Sequence, residues 1–309
     1  MTGSGTQQDP YKPATWAEVL SCTTSDSVYT DFPVTLIKTR DIAIDQRKTY
    51  LYQDGTVVQN PRNSEIGSYY ENTFVFNMND YYPEGIVETI PLRGFINGRG
   101  ATIKNAYYSG DEGAFLVSSQ DYLGKISYLN FIDFRFATTT TNCVFIEGPE
   151  TGNVFYRCKF SGRVENNGAQ WCAITRGNAY ATSLVRCSYN IEIKGIASID
   201  TGNWSGTCRE CDINVIGLTD NDALAVTPNN TYVSGEIHTL SIEGTNGNAY
   251  ESIIDVAASS IISNNGDPAV TFINTDKYSG SLPTGCTGAT TAQLKNADWL
   301  RSQGFPIQT

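Results

Sequence analysis

Short segments that alternate apolar and polar residues recur along the middle of the chain. Each spans six or seven residues, and together they are NFIDFRF (130–136), VFYRCKF (154–160), SLVRCSY (183–189), CRECDI (208–213), YVSGEI (232–237) and VAASSI (256–261). Aligned on Phe134, Cys158, Cys187, Cys211, Gly235 and Ser259, they have successive spacings of 24, 29, 24, 24 and 24. A spacing of 24 leaves no room for a strand–helix–strand unit, so the pattern predicts a repeat of strands and turns.

A second β-rich segment follows the first in several repeats. It begins at Cys143, Cys172 and Ile196. The single spacing of 29 matches a five-residue excess in the polar, glycine-bearing stretch SGRVENNGAQW, which is typical of a loop insertion. Stacked in parallel about 4.8 Å apart, equivalent strands would bury one continuous core.

The alternation also predicts which side chains point inward. Those expected to be buried are Phe134/Phe136, Cys158/Phe160, Cys187/Tyr189 and Cys211/Ile213. Those expected to face solvent are Asp133/Arg135, Arg157/Lys159, Arg186/Ser188 and Glu210/Asp212. On this alignment Asp133 lies beside Arg157 of the next repeat, which predicts a cross-strand ion pair.

These repeats, with the first-turn segment IPLRGFINGRGATIKN (90–105), resemble right-handed parallel β-helix proteins of the pectin-lyase-like class. The resemblance covers about residues 88–285. It implies an all-β fold: a single-stranded right-handed parallel β-helix solenoid with short N- and C-terminal capping helices. The implied single domain, 1–309, consists of an N-terminal cap (1–30), irregular lead-in strands (31–87), coils that repeat with a spacing of about 24 (88–285) and a C-terminal helical cap (286–309). The class includes enzymes that cut acidic polysaccharides and the shafts of bacteriophage tailspikes.

Both ends of the chain carry helix-start signals. Thr15 and Glu18 predict a capping box near the N-terminus, and Thr290 and Gln293 predict another near the C-terminus. The residues expected at buried or terminating positions of these helices are Val19, Leu20, Leu294, Ala297, Trp299, Leu300, Gly304 and Pro306. Such caps are needed because the terminal repeats would otherwise expose the core.

The composition argues against several classes of protein and of binding partner. The chain has 309 residues, a net charge of -11 and 17% charged residues, which argues against a coiled coil, a helical bundle and a disordered acidic tail. The pI of about 4.6 argues against a nucleic-acid partner, because phosphate binding relies on clustered Lys and Arg. Membrane insertion is not expected, since no apolar run approaches the roughly 20 residues needed to span a bilayer. The first residues show no secretory signal pattern.

The metal-binding motifs in the sequence are incomplete. Cys208-x-x-Cys211 is half of a zinc motif, but no second pair completes it, and the only histidine, His238, is distant. Asp220-Asn221-Asp222 lacks the glycine and final glutamate of a calcium loop and predicts a turn between coils. No cofactor is therefore expected, and no motif supports calcium. The expected packing residues are Cys22, Cys143, Cys158, Cys172, Cys187, Cys208, Cys211 and Cys286.

The candidate catalytic site is a predicted patch of three carboxylates. Glu210 and Asp212 are two residues apart on one predicted strand and share a face, and Glu236 is predicted to take the position of Asp212 on the next coil. With Arg186 beside it, this patch would share a proton, hold calcium or supply the acid–base pair of a glycosidase. The alternative is structural, because Arg186 beside Glu210 would be an ordinary cross-strand ion pair.

Three functions are compatible with the resemblance and the surface chemistry. The first is a bacteriophage virion protein, a tail or head appendage or fibre similar to a tailspike, that contacts a glycan on the host cell surface. Its implied partners are that glycan and other virion proteins, with a homotrimer implied by analogy. It would be made in the host cytoplasm and exposed after lysis. The alternative is a polysaccharide lyase or glycoside hydrolase. The third is a surface adhesin or structural module.

Overall fold

The computed structural model describes residues 1–25, 27–33, 36–41, 52–53, 56–57, 66–71, 74–110, 113–117, 125–138, 142–147, 154–168, 171–176, 183–200, 207–209, 211–229, 231–243, 252–264 and 271–304. Within these residues the protein is mostly β, with parallel sheets and few helices. The all-β prediction is therefore confirmed. None of the described helices is long and apolar enough to cross a membrane.

In the described part of the chain the parallel strands lie in three stacks, numbered in chain order. Stack 1 contains β1 (Tyr29–Asp31), β8 (Phe95–Asn97), β12 (Lys125–Ser127), β15 (Val154–Tyr156), β18 (Ser183–Val185), β21 (Thr207–Arg209) and β24 (Pro228–Asn229). Stack 2 contains β6 (Val75–Asn77), β9 (Thr102–Lys104), β10 (Tyr107–Tyr108), β13 (Asn130–Thr138), β16 (Lys159–Asn166), β19 (Ser188–Lys194), β22 (Asp212–Gly217), β25 (Tyr232–Glu243), β26 (Ser252–Asn264), β27 (Thr271–Asn274) and β28 (Cys286–Ala289). Stack 3 contains β7 (Ile90–Leu92), β11 (Gly113–Val117), β14 (Asn142–Glu147), β17 (Trp171–Arg176), β20 (Ile196–Asp200), β23 (Ala223–Val226) and the second halves of β25 and β26.

The remaining elements lie near the ends of the chain. The antiparallel strands are β2 (Leu36–Asp41) with β5 (Ile66–Glu71) and β3 (Tyr52–Gln53) with β4 (Thr56–Val57). The helices are α1 (Trp16–Cys22), α2 (Thr291–Leu294), α3 (Ala297–Ser302) and the 3-10 turn Met78–Asp80.

The helix-start predictions hold in part. The predicted capping box of α2 is complete. At α1 the Thr15 hydroxyl accepts the Glu18 N–H, whereas the Glu18 carboxylate accepts the N–H of Ala14 instead. The predicted stop signal Pro306 lies outside the described residues.

The inward side chains of the three stacks belong to one apolar cluster. Ile126 of stack 1, Phe160 of stack 2 and Leu224 of stack 3 are among its members, and all are nearly inaccessible to solvent. Every side chain that the alternation predicts as inward is buried. The outward prediction fails at Arg157, which is 6% exposed and lies over the rings of Tyr128 and Tyr156.

The repeat is less uniform than the expected spacings of 24, 29, 24, 24 and 24. Successive partners in stack 2 are Val75, Thr102, Asn130, Lys159, Ser188, Asp212, Tyr232, Ile253, Phe272 and Thr287, and their sequence spacings are 27, 28, 29, 29, 24, 20, 21, 19 and 15. Parallel pairing in stack 2 therefore starts at Val75, earlier than the predicted residue 88. The repeats, called levels below, become shorter toward the C-terminus after Ser188.

The strand register agrees with only part of the alignment of repeats made from the sequence. Cys158, Cys187 and Cys211 do occupy equivalent positions, because the residues that follow them pair with one another. Beyond Cys211 the spacing between paired residues falls from 24 to 20, so Gly235 pairs with Val215 and not with the next position of the cysteine row. The equivalence fails earlier as well, since Phe134 pairs with Gly162 after a bulge. Asp133, the bulge residue, forms an ion pair with Lys104 and not the predicted ion pair with Arg157.

A column of small side chains follows the corner between stacks 1 and 2. Its members, here called the thiol–hydroxyl column, are Cys158, Cys187, Cys211, Thr231, Ser252, Thr271 and Cys286. The Cys187 thiol donates to the Phe155 carbonyl one level earlier at 3.4 Å, and the Cys211 thiol donates to Leu184 at 3.2 Å. The Thr231 hydroxyl makes the same bond to Cys208 at 2.6 Å. Thiols and hydroxyls therefore play one structural role.

Six of the seven cysteines whose side chains the structure describes are buried, as expected, and Cys286 is partly exposed. The seven cysteines whose side chains the structure describes are thiols and not disulfides. Burial raises the pKa of Cys158, Cys187 and Cys211 well above its ordinary value, and it raises the pKa of Cys286 to about 11. A protonated thiol is a poor nucleophile and a poor metal ligand, so these positions support packing rather than chemistry.

The C-terminal helices do not close the end of the core. They cover the outer face of stack 2, where a second apolar cluster consists of Tyr232, Ile253, Phe272, Ala289, Leu294 and Leu300, with Trp299 packed against it. The main core ends instead at Tyr278, whose hydroxyl accepts the N–H of Ile261 at 3.3 Å and donates to the Ser281 carbonyl at 3.1 Å. The Ile261 N–H lies at a strand edge that the shorter levels leave without a neighbouring strand. The Tyr278 hydroxyl therefore accepts its hydrogen bond in place of a strand.

We expect Cys187→Ala to lower the free energy of unfolding by about 1–2 kcal/mol, because it removes both the corner hydrogen bond and buried volume. Cys187→Ser should lose less, because Thr231 shows that a hydroxyl makes the same bond. Urea denaturation of both variants measures the difference. Equal losses would contradict a shared role for thiol and hydroxyl.

Tyr278→Phe should lower the free energy of unfolding by about 1 kcal/mol, because the Ile261 N–H loses its acceptor while the ring stays in the core. Tyr81→Phe is the matched control, since Tyr81 is 45% exposed and its change removes the same atom. Thermal and urea unfolding of the two variants should separate them. Identical curves would show that Tyr278 closes the core through its ring alone.

Candidate functional site

The structure separates two of the three predicted carboxylates, Asp212 and Glu236. Glu210 lies outside the described residues. Asp212 pairs with Tyr232 in the register, whereas Glu236 pairs with Ile216. Glu236 is thus displaced from the position beside Asp212 by four residues, or about 13 Å along the strand. The predicted equivalence of these two carboxylates is wrong, because the sequence spacing between paired residues at this level is 20 and not 24.

The side chain of Arg186 contacts Tyr156 of the preceding level. Arg186 lies in the left-handed region, with φ 55°, immediately before Cys187. Its Nη1 donates to the hydroxyl of Tyr156 at 3.4 Å. The predicted role of Arg186 beside Glu210 stays a prediction, since Glu210 is not among the described residues.

A surface groove of about 370 Å³ forms where β25 turns from stack 2 into stack 3. At the two preceding levels Gly195 and the turn 218–222 make this corner, but β25 passes it without a break. Gly235 permits the bend, because its φ is 111° and a Cβ there would lie 1.9 Å from the Val215 carbonyl oxygen. The bend leaves Glu236 exposed and His238 partly exposed beside the groove. We call this feature the corner groove.

The wall of the corner groove is a turn held by Asp222. The fully buried Asp222 carboxylate accepts the N–H of Gly195 at 2.6 Å, the Thr219 hydroxyl at 2.6 Å and the N–H groups of Leu218 and Thr219. Burial by itself raises the pKa of Asp222, but these hydrogen bonds outweigh it and hold the pKa below its ordinary value of 3.8. The sequence correctly predicts a turn here, and the turn carries Asp220 to the groove.

Small residues make the floor of the corner groove. Ala257, Ala258 and Ser259 of β26 lie there, where longer side chains would fill the space. Lys277 lies at the opposite wall, with its Nζ 3.0 Å from an oxygen of Asp255. The titratable groups along the groove are Asp220, Glu236, His238 and Lys277.

The groove offers hydrogen bonding and acid–base chemistry on an open surface. His238 Nδ1 lies 3.1 Å from the Thr239 hydroxyl, and Ser259 lies on the neighbouring strand. Among the described residues no three His, Cys, Asp or Glu side chains lie close enough to hold a metal ion. The sequence identified Glu236 as a candidate residue but did not predict the groove. The sequence feature that could have indicated it is the run of small residues 257–260, which lies beside the turn 218–222.

Comparison of the chain with protein-family models, with curated proteins and with solved structures finds no match. The resemblance to right-handed parallel β-helix proteins therefore stays a prediction. The chemistry of the groove itself bears on function. It presents hydrogen-bonding groups of positive and negative charge on a shallow surface.

Asp222→Asn should lower the free energy of unfolding at neutral pH by about 2 kcal/mol, because it replaces a buried acceptor of four hydrogen bonds. The Asp222 pKa is depressed in the folded protein, so its stabilisation is complete above pH 3.8 and is lost as the pH falls through the folded pKa. The gap between wild type and variant should therefore shrink in acid. Urea titrations at several pH values measure it.

The matched control is Asp220→Asn, which removes the same charge from an exposed position in the same turn. Its stability should stay within about 0.5 kcal/mol of wild type at every pH. A gap for Asp222→Asn that is independent of pH would contradict the role assigned to its carboxylate.

Proposed function

We propose that this chain is a right-handed parallel β-helix solenoid and serves as a structural appendage of a bacteriophage virion that contacts a glycan on the host cell surface. The observation that carries the proposal is the arrangement of parallel strands in three stacks around one core. Right-handedness is supported by the strong preference of crossovers between parallel strands for that hand. Such a stack is rigid along its length and presents its outer side chains in rows.

The glycan contact is supported by the polar outer surface. Asn190, Asn214 and Ser234 form a row in which Asn214 donates to Asn190 at 2.8 Å and Ser234 donates to Asn214 at 3.3 Å. The corner groove lies at the end of stack 2 with Glu236 and His238 beside it. Sugar hydroxyls both donate and accept hydrogen bonds, so a shallow groove with both kinds of group suits a glycan better than an apolar ligand.

The second candidate function is a polysaccharide lyase or glycoside hydrolase. One observation favours it: the corner groove collects carboxylate, imidazole and ammonium groups. Glu236 is the one predicted catalytic residue that lies there, and Asp212 is distant from it along the sheet. An enzyme at this groove would use Asp220 or His238 as the partner of Glu236 in proton transfer.

The purified chain should bind at least one polysaccharide of a panel of dextran, xylan, polygalacturonate and bacterial O-antigen without releasing reducing or unsaturated ends. Glu236→Gln with His238→Ala should weaken that binding by about tenfold. Glu192→Gln is the matched control, because Glu192 is an exposed glutamate in the same outward row, two levels before Glu236. Release of sugar ends that disappears in the Glu236→Gln variant would establish the enzyme instead.

The virion assignment has its own measurement. Mass spectrometry of purified phage particles should detect the chain, and light scattering should give the mass of a trimer. A gene located in a metabolic operon, with the chain absent from particles, would overturn the assignment. Binding to none of the four polysaccharides would overturn the glycan contact.

A further inference from the structure

A second concave surface lies at the opposite, N-terminal end of stack 1. It has a volume of about 360 Å³ and is lined by residues of β1 and β8 and of the N-terminal segment. Tyr29 and Phe95 pair in the register, and their rings are stacked with centroids 4.3 Å apart and planes 6° from parallel. Both side chains are half-buried and line the cavity. We call this feature the aromatic platform.

Polar groups surround the aromatic platform. Arg99 and Asp31 form an ion pair between residues distant in sequence, and each side chain is at least three-quarters buried. The backbone of Arg99 lies in the left-handed region, with φ 47°, and the Asn97 side-chain oxygen accepts its N–H at 3.2 Å. A non-glycine residue in this conformation carries a backbone cost that the ion pair and the Asn97 contact offset.

Several polar atoms at the platform have no hydrogen-bond partner among the described residues. They are the hydroxyl of Tyr29, the side-chain nitrogen of Asn97 and one carboxylate oxygen of Asp31. Together they offer donors and an acceptor within one small cavity. Because Arg99 neutralises Asp31, the cavity carries no net charge from its lining residues.

We propose that the aromatic platform is a binding site for one neutral pyranose sugar. The two rings cover each other's inner faces, so the C–H face of a pyranose would pack on an outer face of the stacked pair. The sugar hydroxyls need donors and acceptors at the ring edge. The cavity falls within the usual size range of small-ligand sites. The absence of net charge favours a neutral sugar over a uronate. This site is separate from the corner groove and does not depend on the virion assignment.

The test is saturation-transfer NMR on the full chain with D-glucose, D-galactose, D-mannose and N-acetyl-D-glucosamine. Concentrations up to about 100 mM are appropriate, because a single sugar on one platform is expected to bind in the millimolar range. At least one of the four sugars should receive transfer at its ring C–H protons. Tyr29→Ala should weaken binding at least about tenfold.

A second variant separates binding from folding. Asn97→Asp keeps the acceptor for the Arg99 N–H but removes the two side-chain donors, so it should lose transfer. Because it also places a carboxylate opposite Asp31, its melting curve is compared with that of wild type to show that the fold is retained. Glu192→Gln, at an exposed position of β19 that lines neither concave surface, should leave transfer unchanged. The proposal is overturned if none of the four sugars shows transfer to the wild type. It is equally overturned if Asn97→Asp binds as well as wild type, or if D-glucuronate alone binds.

Discussion

At four successive corners between stacks 1 and 2, a thiol or hydroxyl donates a hydrogen bond to a carbonyl one level earlier, and the rest of the structure depends on this bond. The donors are Cys158, Cys187, Cys211 and Thr231. Arg157 and Arg186 adopt a left-handed backbone just before the first two thiols. That conformation costs roughly 1–2 kcal/mol per residue. The side-chain bond and the buried column offset this cost and fix the level at which each strand of stack 2 begins.

Three features accompany the shortening of the levels. Tyr278 takes over as a hydrogen-bond partner where strands of stack 3 end. At the shorter levels the outward residues Tyr232, Ile253 and Phe272 are apolar, and helices α2 and α3 cover them. The shift of register after Cys211 also moves Glu236 away from Asp212 and places it at the corner groove. The change in chain length per level therefore sets the position of Glu236, and it coincides with the end of the core and with its helical cover.

The two concave surfaces differ in chemistry because they lie at different parts of the stacks. The corner groove depends on a buried carboxylate, Asp222, and on a glycine, Gly235, that lets one strand pass the corner. It gathers charged and titratable groups. The aromatic platform depends on the register of β1 with β8, which places Tyr29 against Phe95.

The sequence by itself determined the all-β class, the inward residues, the burial of most cysteines and the helix starts at Thr15 and Thr290. These depend on alternation, small side chains and capping, which are local. Only the tertiary structure decided the register after Cys211, because a spacing of 20 and a spacing of 24 preserve the same in–out alternation. For that reason the position of Glu236 was predicted wrongly. The platform was not predicted at all, because β1 and β8 are distant in sequence and carry no shared motif.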